Sequence, residues 1–132
     1  MRIMNNIVVV SVLIGVSLQT CYADTECDEM LKIERDLSSR LPMQVDEVTT
    51  VVELAVNCEF RRIKYVKHLS VSTSELAAGF LERKQRQHIN LHCNKIGLAT
   101  VGWTVSDSIN DKDAKWVGTL VTTPQDCKRV GN

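Results

Sequence analysis

His88 and His92 stand four residues apart in a stretch that reads as helix, so both imidazoles fall on one face within reach of a shared metal ion. A zinc protease of the H-E-x-x-H kind also needs a glutamate after the first histidine, and Ile89 occupies that place. The plainer reading is one surface histidine and one partly buried one. A Cys–His nucleophile requires a free thiol, which bridged cysteines would not leave. No serine lies in a G-x-S-x-G elbow. Asp107, Asn110, Asp111 and Asp113 superficially resemble a calcium loop. They lack the central glycine and closing glutamate of an EF-hand, so a solvated hairpin turn is expected instead. A small metal-dependent or hydrolytic enzyme using His88 and His92 is therefore the alternative function. No catalytic, cofactor or metal residue is assigned, and no cofactor is expected.

The five cysteines say more. Cys21 ends an apolar leader, whereas Cys27, Cys58, Cys93 and Cys127 punctuate the rest of the chain almost evenly. Residues 1–23 have the parts of a signal peptide: Arg2, an apolar stretch from Ile7 to Leu18, and Cys21-Tyr22-Ala23 before Asp24. The apolar run is shorter than the ~20 residues of a membrane span, and cleavage after Ala23 is expected. Leu18-Gln19-Thr20-Cys21 also resembles a bacterial lipobox, in which Cys21 would be lipidated and hold the domain at a membrane surface. Thr20 departs from the small residue usual there.

Four cysteines behind a leader predict a small exported domain stapled by two disulfides. Structural zinc sites bring close C-x-x-C pairs, which are absent here, and a thioredoxin-like role fails for the same reason. Three pairings are open, and the sequence does not decide among them. The preferred one joins Cys27 to Cys58, tying a leading helix to the first hairpin turn, and Cys93 to Cys127, tying a long helix to the end of the last strand. Each closes a loop of about 30–35 residues, worth roughly 3–4 kcal/mol.

Lysines and arginines number 16, as do aspartates and glutamates. Losing Arg2 with the leader leaves a net charge of about −1, which argues against a nucleic-acid partner. By length residues 24–132 form one domain, and no later run is apolar enough for a membrane span after cleavage. Met30, Ile33 and Leu37 share a helical face within Cys27–Leu37, and Leu41-Pro42 ends that helix. A short turn is expected at Met43–Glu47.

The period then becomes two. Val48–Val56 reads as a strand with Val48, Thr50, Val52, Leu54 and Val56 on one face. Phe60–Val71 reads as its hairpin partner, with Ile63, Tyr65, Leu69 and Val71 inward and Lys67 breaking that row. Ser72 and Glu75 form a capping-box signature for a helix running to about Cys93. Strands at Thr100–Ser106 and Trp116–Thr122 flank a polar turn, and Trp103 and Trp116 are expected in the core. The sum is an α+β domain in the order α-β-β-α-β-β. Its four-stranded sheet is mostly antiparallel, helices pack on one face, and two disulfides staple it.

Leu41-Pro42-x-x-Val45-Asp46 precedes a hairpin, and a long helix ends in Cys93. Gly102-Trp103-Thr104-Val105, a polar turn, a strand and Val121-Thr122-Thr123-Pro124-Gln125-Asp126-Cys127 follow. This stretch, roughly Leu41 to Cys127, resembles the beta-type pilotins of bacterial type II secretion. It also resembles a related group of small secreted proteins labelled quorum-sensing-regulated virulence factors. In those proteins the pair matching Cys93 and Cys127 is a disulfide, which supports that pairing; Cys27 and Cys58 lie outside the pattern. The resemblance implies a non-enzymatic protein-binding domain, either pilotin-like or a secreted accessory or virulence factor. It would be periplasmic or secreted, or an outer-membrane lipoprotein through Cys21. Its partner would be a protein, with a secretion-system subunit among the candidates.

Overall fold

The computed structural model describes residues 25–131. The leader expected over residues 1–23 and the lipidation expected at Cys21 lie outside the described residues. Residues 25–38 are helical (α1), in line with the expected leading helix. The chain divides into two compact units between Ile33 and Glu34, and the second, Glu34–Asn132, contains every element that follows.

Five strands build one mixed sheet: β1 Met43–Gln44, β2 Thr49–Asn57, β3 Arg62–Leu69, β4 Thr104–Asn110 and β5 Trp116–Thr122. They lie in sequence order, with β3 and β4 parallel and the other neighbours antiparallel. The expected sheet of four mostly antiparallel strands is thus corrected twice. Met43–Gln44, expected as a turn, pairs with Thr50 and Val51. The reversal is made by Asp46, whose Oδ1 accepts hydrogen bonds from the backbone N–H groups of Val48 (2.9 Å) and Thr49 (2.8 Å). The long helical crossover between β3 and β4 returns the chain to the end where β3 began, so those strands run parallel.

The helices also shift. Ser72 N–H donates to Glu75 Oε2 at 2.7 Å, but this box closes only a single 3-10 turn, Thr73–Glu75. Gly79 then takes a left-handed conformation (φ 75°), and α2 starts at Phe80, runs to Asn90 and continues as a π-helical turn over Leu91–Lys95. A loop with left-handed Gly97 and Gly102 delays β4 to Thr104 and leaves Val101 exposed. The sequence reading missed a third helix, α3, over Pro124–Val130. Thr123 caps it by accepting from Asp126 N–H, and Pro124 sits in the first turn, where its missing N–H costs nothing.

The inner face of the sheet carries Val51, Leu54, Ile63, Leu69, Val105, Ile109 and Leu120, all buried. A β-bulge at Val52 shifts the alternation of β2, so Thr49 and Val51 turn inward in place of Thr50 and Val52. Helix α2 packs across β5. Gly118 permits that approach, since a Cβ there would lie 2.9 Å from both methyl carbons of Leu81. Trp103 is core, whereas Trp116 is 67% exposed, its Nε1 donating to Thr119 Oγ1.

A disulfide joins Cys93, in the π turn, to Cys127, in α3. Cys27 and Cys58 are also disulfide-bonded. No helix among the described residues is long and apolar enough to cross a membrane.

Candidate functional site

Two charged residues break the inner face of the sheet, and they break it together. Tyr65 of β3 pairs in register with Asp107 of β4, which places Lys67, two residues along β3, diagonally across from Asp107 on the same face. Lys67 Nζ reaches Asp107 Oδ2 at 2.6 Å. Burial alone would raise the Asp107 carboxyl, but contacts with His88 and Lys67 hold it below the usual carboxylate range.

Helix α2 and the π turn that continues it set His88 and His92 over this pair. His88 Nδ1 lies 2.6 Å from Thr122 Oγ1, and its Nε2 lies 3.4 Å from Asp107 Oδ1. The second distance is long for a hydrogen bond, and both atoms are buried without a partner of better geometry. A carboxylate only accepts, so any proton shared along this contact belongs to Nε2, and where Nδ1 carries none it accepts from the threonine hydroxyl. His92 follows one turn later, with ring centroids 4.5 Å apart in a T-shaped contact. Burial above all holds the His92 ring neutral, its pKa pushed down to about 4; His88 and Lys67 push the same way and Asp107 opposes.

Thr122, His88 and Asp107 therefore have the connectivity of a nucleophilic triad without its access. Thr122 is 0% exposed, so no substrate atom can approach its hydroxyl, and Lys67 already neutralises the carboxylate. Nor do the two histidines gather a metal ligand set: among the described residues no group of three or more His, Cys, Asp or Glu is arranged to hold an ion. The network orients α2 on the sheet. The two histidines come together, as their spacing requires, but both are buried, not one of them on the surface.

Asp107 is the residue that sequence reasoning misplaced. It was expected in a polar turn over Asp107–Asp113, but β4 runs on through Ile109 and Asn110 because Lys67 supplies a partner for the buried carboxylate. The actual turn is organised by Asp111, whose carboxylate accepts from Thr73 N–H, Thr73 Oγ1–H, Asp113 N–H and Lys115 N–H. Burial pushes Asp111 up, yet these bonds hold it down to about 2. Its oxygens are committed to three backbone N–H groups and the Thr73 hydroxyl, not offered to calcium.

Beside the network opens a cavity of about 200 Å³. Its walls are apolar: Leu37 of α1, Leu41, Met43, Val45, Val51, Leu54, Leu91 and Ile96. Its polar floor is Tyr65, Lys67, His92 and Asp107. Val45 and Ile96 are about half exposed, so the mouth presents apolar surface to solvent. Nothing in the sequence points to this cavity, because its lining comes from segments far apart along the chain.

No protein-family model and no curated protein matches the chain. Solved structures do match, and the fold is that of the type II secretion pilotins. The type II pilotin EpsS of Vibrio vulnificus aligns with a TM-score of 0.58 and 10% identity over 73% of this chain and 86% of that one. The pilotin AspS of Vibrio cholerae aligns at 0.54 and 11% over the same shares. A Pseudomonas aeruginosa protein described as secreted aligns at 0.62 and 18%, over 80% of this chain and 96% of that one. At these identities the likeness is one of fold.

Proposed function

We propose that the protein is an exported, non-enzymatic domain that binds another protein in the bacterial envelope or outside the cell. It acts in the manner of a pilotin or of a secreted accessory or virulence factor, and a secretion-system subunit is the leading partner. Residues 1–23 are removed as a signal peptide, and 24–132 form one domain in which Cys27 pairs with Cys58. Lipidation of Cys21 is the alternative fate of the leader and would hold the domain at the outer membrane.

The observation that carries the reading is the open apolar cavity with half-exposed Val45 and Ile96 at its mouth. Apolar surface around a concave site is what an anchoring partner segment buries. The fold shared with two secretion pilotins adds support. A photo-reactive residue placed at Ile96 in the native host tests it. Irradiation is expected to capture one envelope protein, a secretion-machinery subunit, which mass spectrometry identifies. The same probe at Lys64, exposed on the opposite sheet face, should not capture it. Equal capture from both positions, or none from Ile96, overturns the reading.

A further inference from the structure

The floor of the apolar cavity has polar atoms to spare. His92 and Asp107 both line it; among the described residues His92 Nδ1 is buried with no hydrogen-bond partner, and Asp107 Oδ1 has only the long 3.4 Å approach of His88 Nε2. His92 is 4% exposed, so water does not readily supply what the protein omits. The floor also carries no net charge. The ammonium of Lys67 is matched by Asp107 at 2.6 Å, and the His92 ring is neutral. Among the described residues, a carboxylate or phosphate entering here would find no free cation on the floor. An ammonium would find no free anion.

We propose that this cavity binds a small uncharged amphiphile, a phenol with a short alkyl substituent, whose hydroxyl hydrogen-bonds the His92 imidazole. The size fits, since an apolar cavity of about 150 Å³ takes benzene and this one, at about 200 Å³, adds room for a short chain. The hydroxyl fits because it can donate to the Nδ1 lone pair, which an ether oxygen cannot do. Nδ1 lies beneath the cavity surface, so capping it takes a turn of the ring about its Cβ–Cγ bond. The alkyl group then lies against Leu41, Met43 and Leu54. This inference uses the cavity that carries the protein-binding proposal but does not rest on that reading, because ligand binding is read on the protein without a partner.

The test titrates para-propylphenol, its methyl ether and para-propylbenzoate into the oxidised protein expressed from the full chain, followed by nuclear magnetic resonance. The phenol is expected to bind at roughly 0.1–1 mM and to shift the ring-nitrogen signals of His92 and the amides of Leu54 and Leu91. The ether, which cannot donate, and the charged benzoate should each bind at least tenfold more weakly. His92→Phe should abolish the preference for the phenol over its ether. Equal or tighter binding of the ether or the benzoate, shifts confined to other surfaces, or no binding overturns the proposal. Should His92→Phe not fold, the His92 ring-nitrogen shift in the unaltered protein decides alone. Failure of the Ile96 crosslink leaves this result standing, and the reverse also holds.

Discussion

Lys67 and Asp107 project from neighbouring parallel strands to the same side of the sheet and meet at 2.6 Å, with the carboxylate almost fully buried. Helix α2 lays His88 against that carboxylate from above. An ion pair in such a place is weak evidence for stability, because desolvation offsets much of the attraction. What it does dictate is geometry: each partner is tolerable inside only while the other is present.

Asp107→Asn should therefore destabilise the protein by about 2–4 kcal/mol, because it strands the Lys67 ammonium against the core. Replacing both at once, Lys67→Met with Asp107→Leu, should recover most of the loss. Urea unfolding at neutral pH measures both. An Asp107→Asn variant within about 0.5 kcal/mol of the parent would show that the pair does not constrain the interior.

His92 makes stability depend on pH. The unfolded chain protonates this ring near 6.5, the folded protein only near 4. Between those values the unfolded state binds more protons, so stability is complete above about pH 7 and falls as pH is lowered towards 4. Asp107, held below its usual 3.8 in the fold, extends the loss to lower pH. The His92 contribution is at most roughly 3 kcal/mol, at about 1.4 kcal/mol per pH unit. Urea midpoints at pH 7 and 4.5 should differ less in His92→Gln than in the parent. Equal slopes contradict a buried neutral ring.

Lys67 and Asp107 also mark where the sequence was legible and where it was not. The alternation of β3 was plain enough to flag Lys67 as out of place on an inward row, and β2 and β3 lie close to where their β-branched patterns put them. Its partner stayed hidden because three acids and an asparagine near the hairpin read as one solvated loop, although Asp107 falls between Val105 and Ile109 at strand spacing. Two inward charges of opposite sign on neighbouring strands explain each other only once the strands are known to be neighbours. The parallel pairing of β3 and β4 had no local signature, since a crossover writes nothing into either strand. The bulge at Val52 and the extra strand β1 are likewise set by contacts distant in sequence.

The disulfide between Cys93 and Cys127 closes a segment of 34 residues that includes β4 and β5. Changing both cysteines to serine should cost about 3–4 kcal/mol by loop closure in the unfolded chain. Calorimetry or urea unfolding reads the loss directly. Peptide mapping without reduction should also recover the Cys27 peptide linked to that of Cys58. A Cys27 peptide bound to any other partner contradicts the proposed pairing.

Gly118 and Leu81 offer the sharpest test of how α2 seats on the sheet. A methyl at Gly118 would lie 2.9 Å from both Leu81 Cδ carbons, closer than packed carbons tolerate. Gly118 does not owe its place to a left-handed backbone, because its φ is not positive. Gly118→Ala should therefore destabilise by about 1–2 kcal/mol through overpacking alone, against the usual stabilising trend of replacing a strand glycine. If the contact with Leu81 is the cause, the cost must vanish or reverse when Leu81 is already alanine. A double-mutant cycle over the two positions should then return a coupling of about 1 kcal/mol or more. Additive effects would mean that the sheet, not the helix, resists the methyl group. The closeness of α2 to β5 would then have another origin.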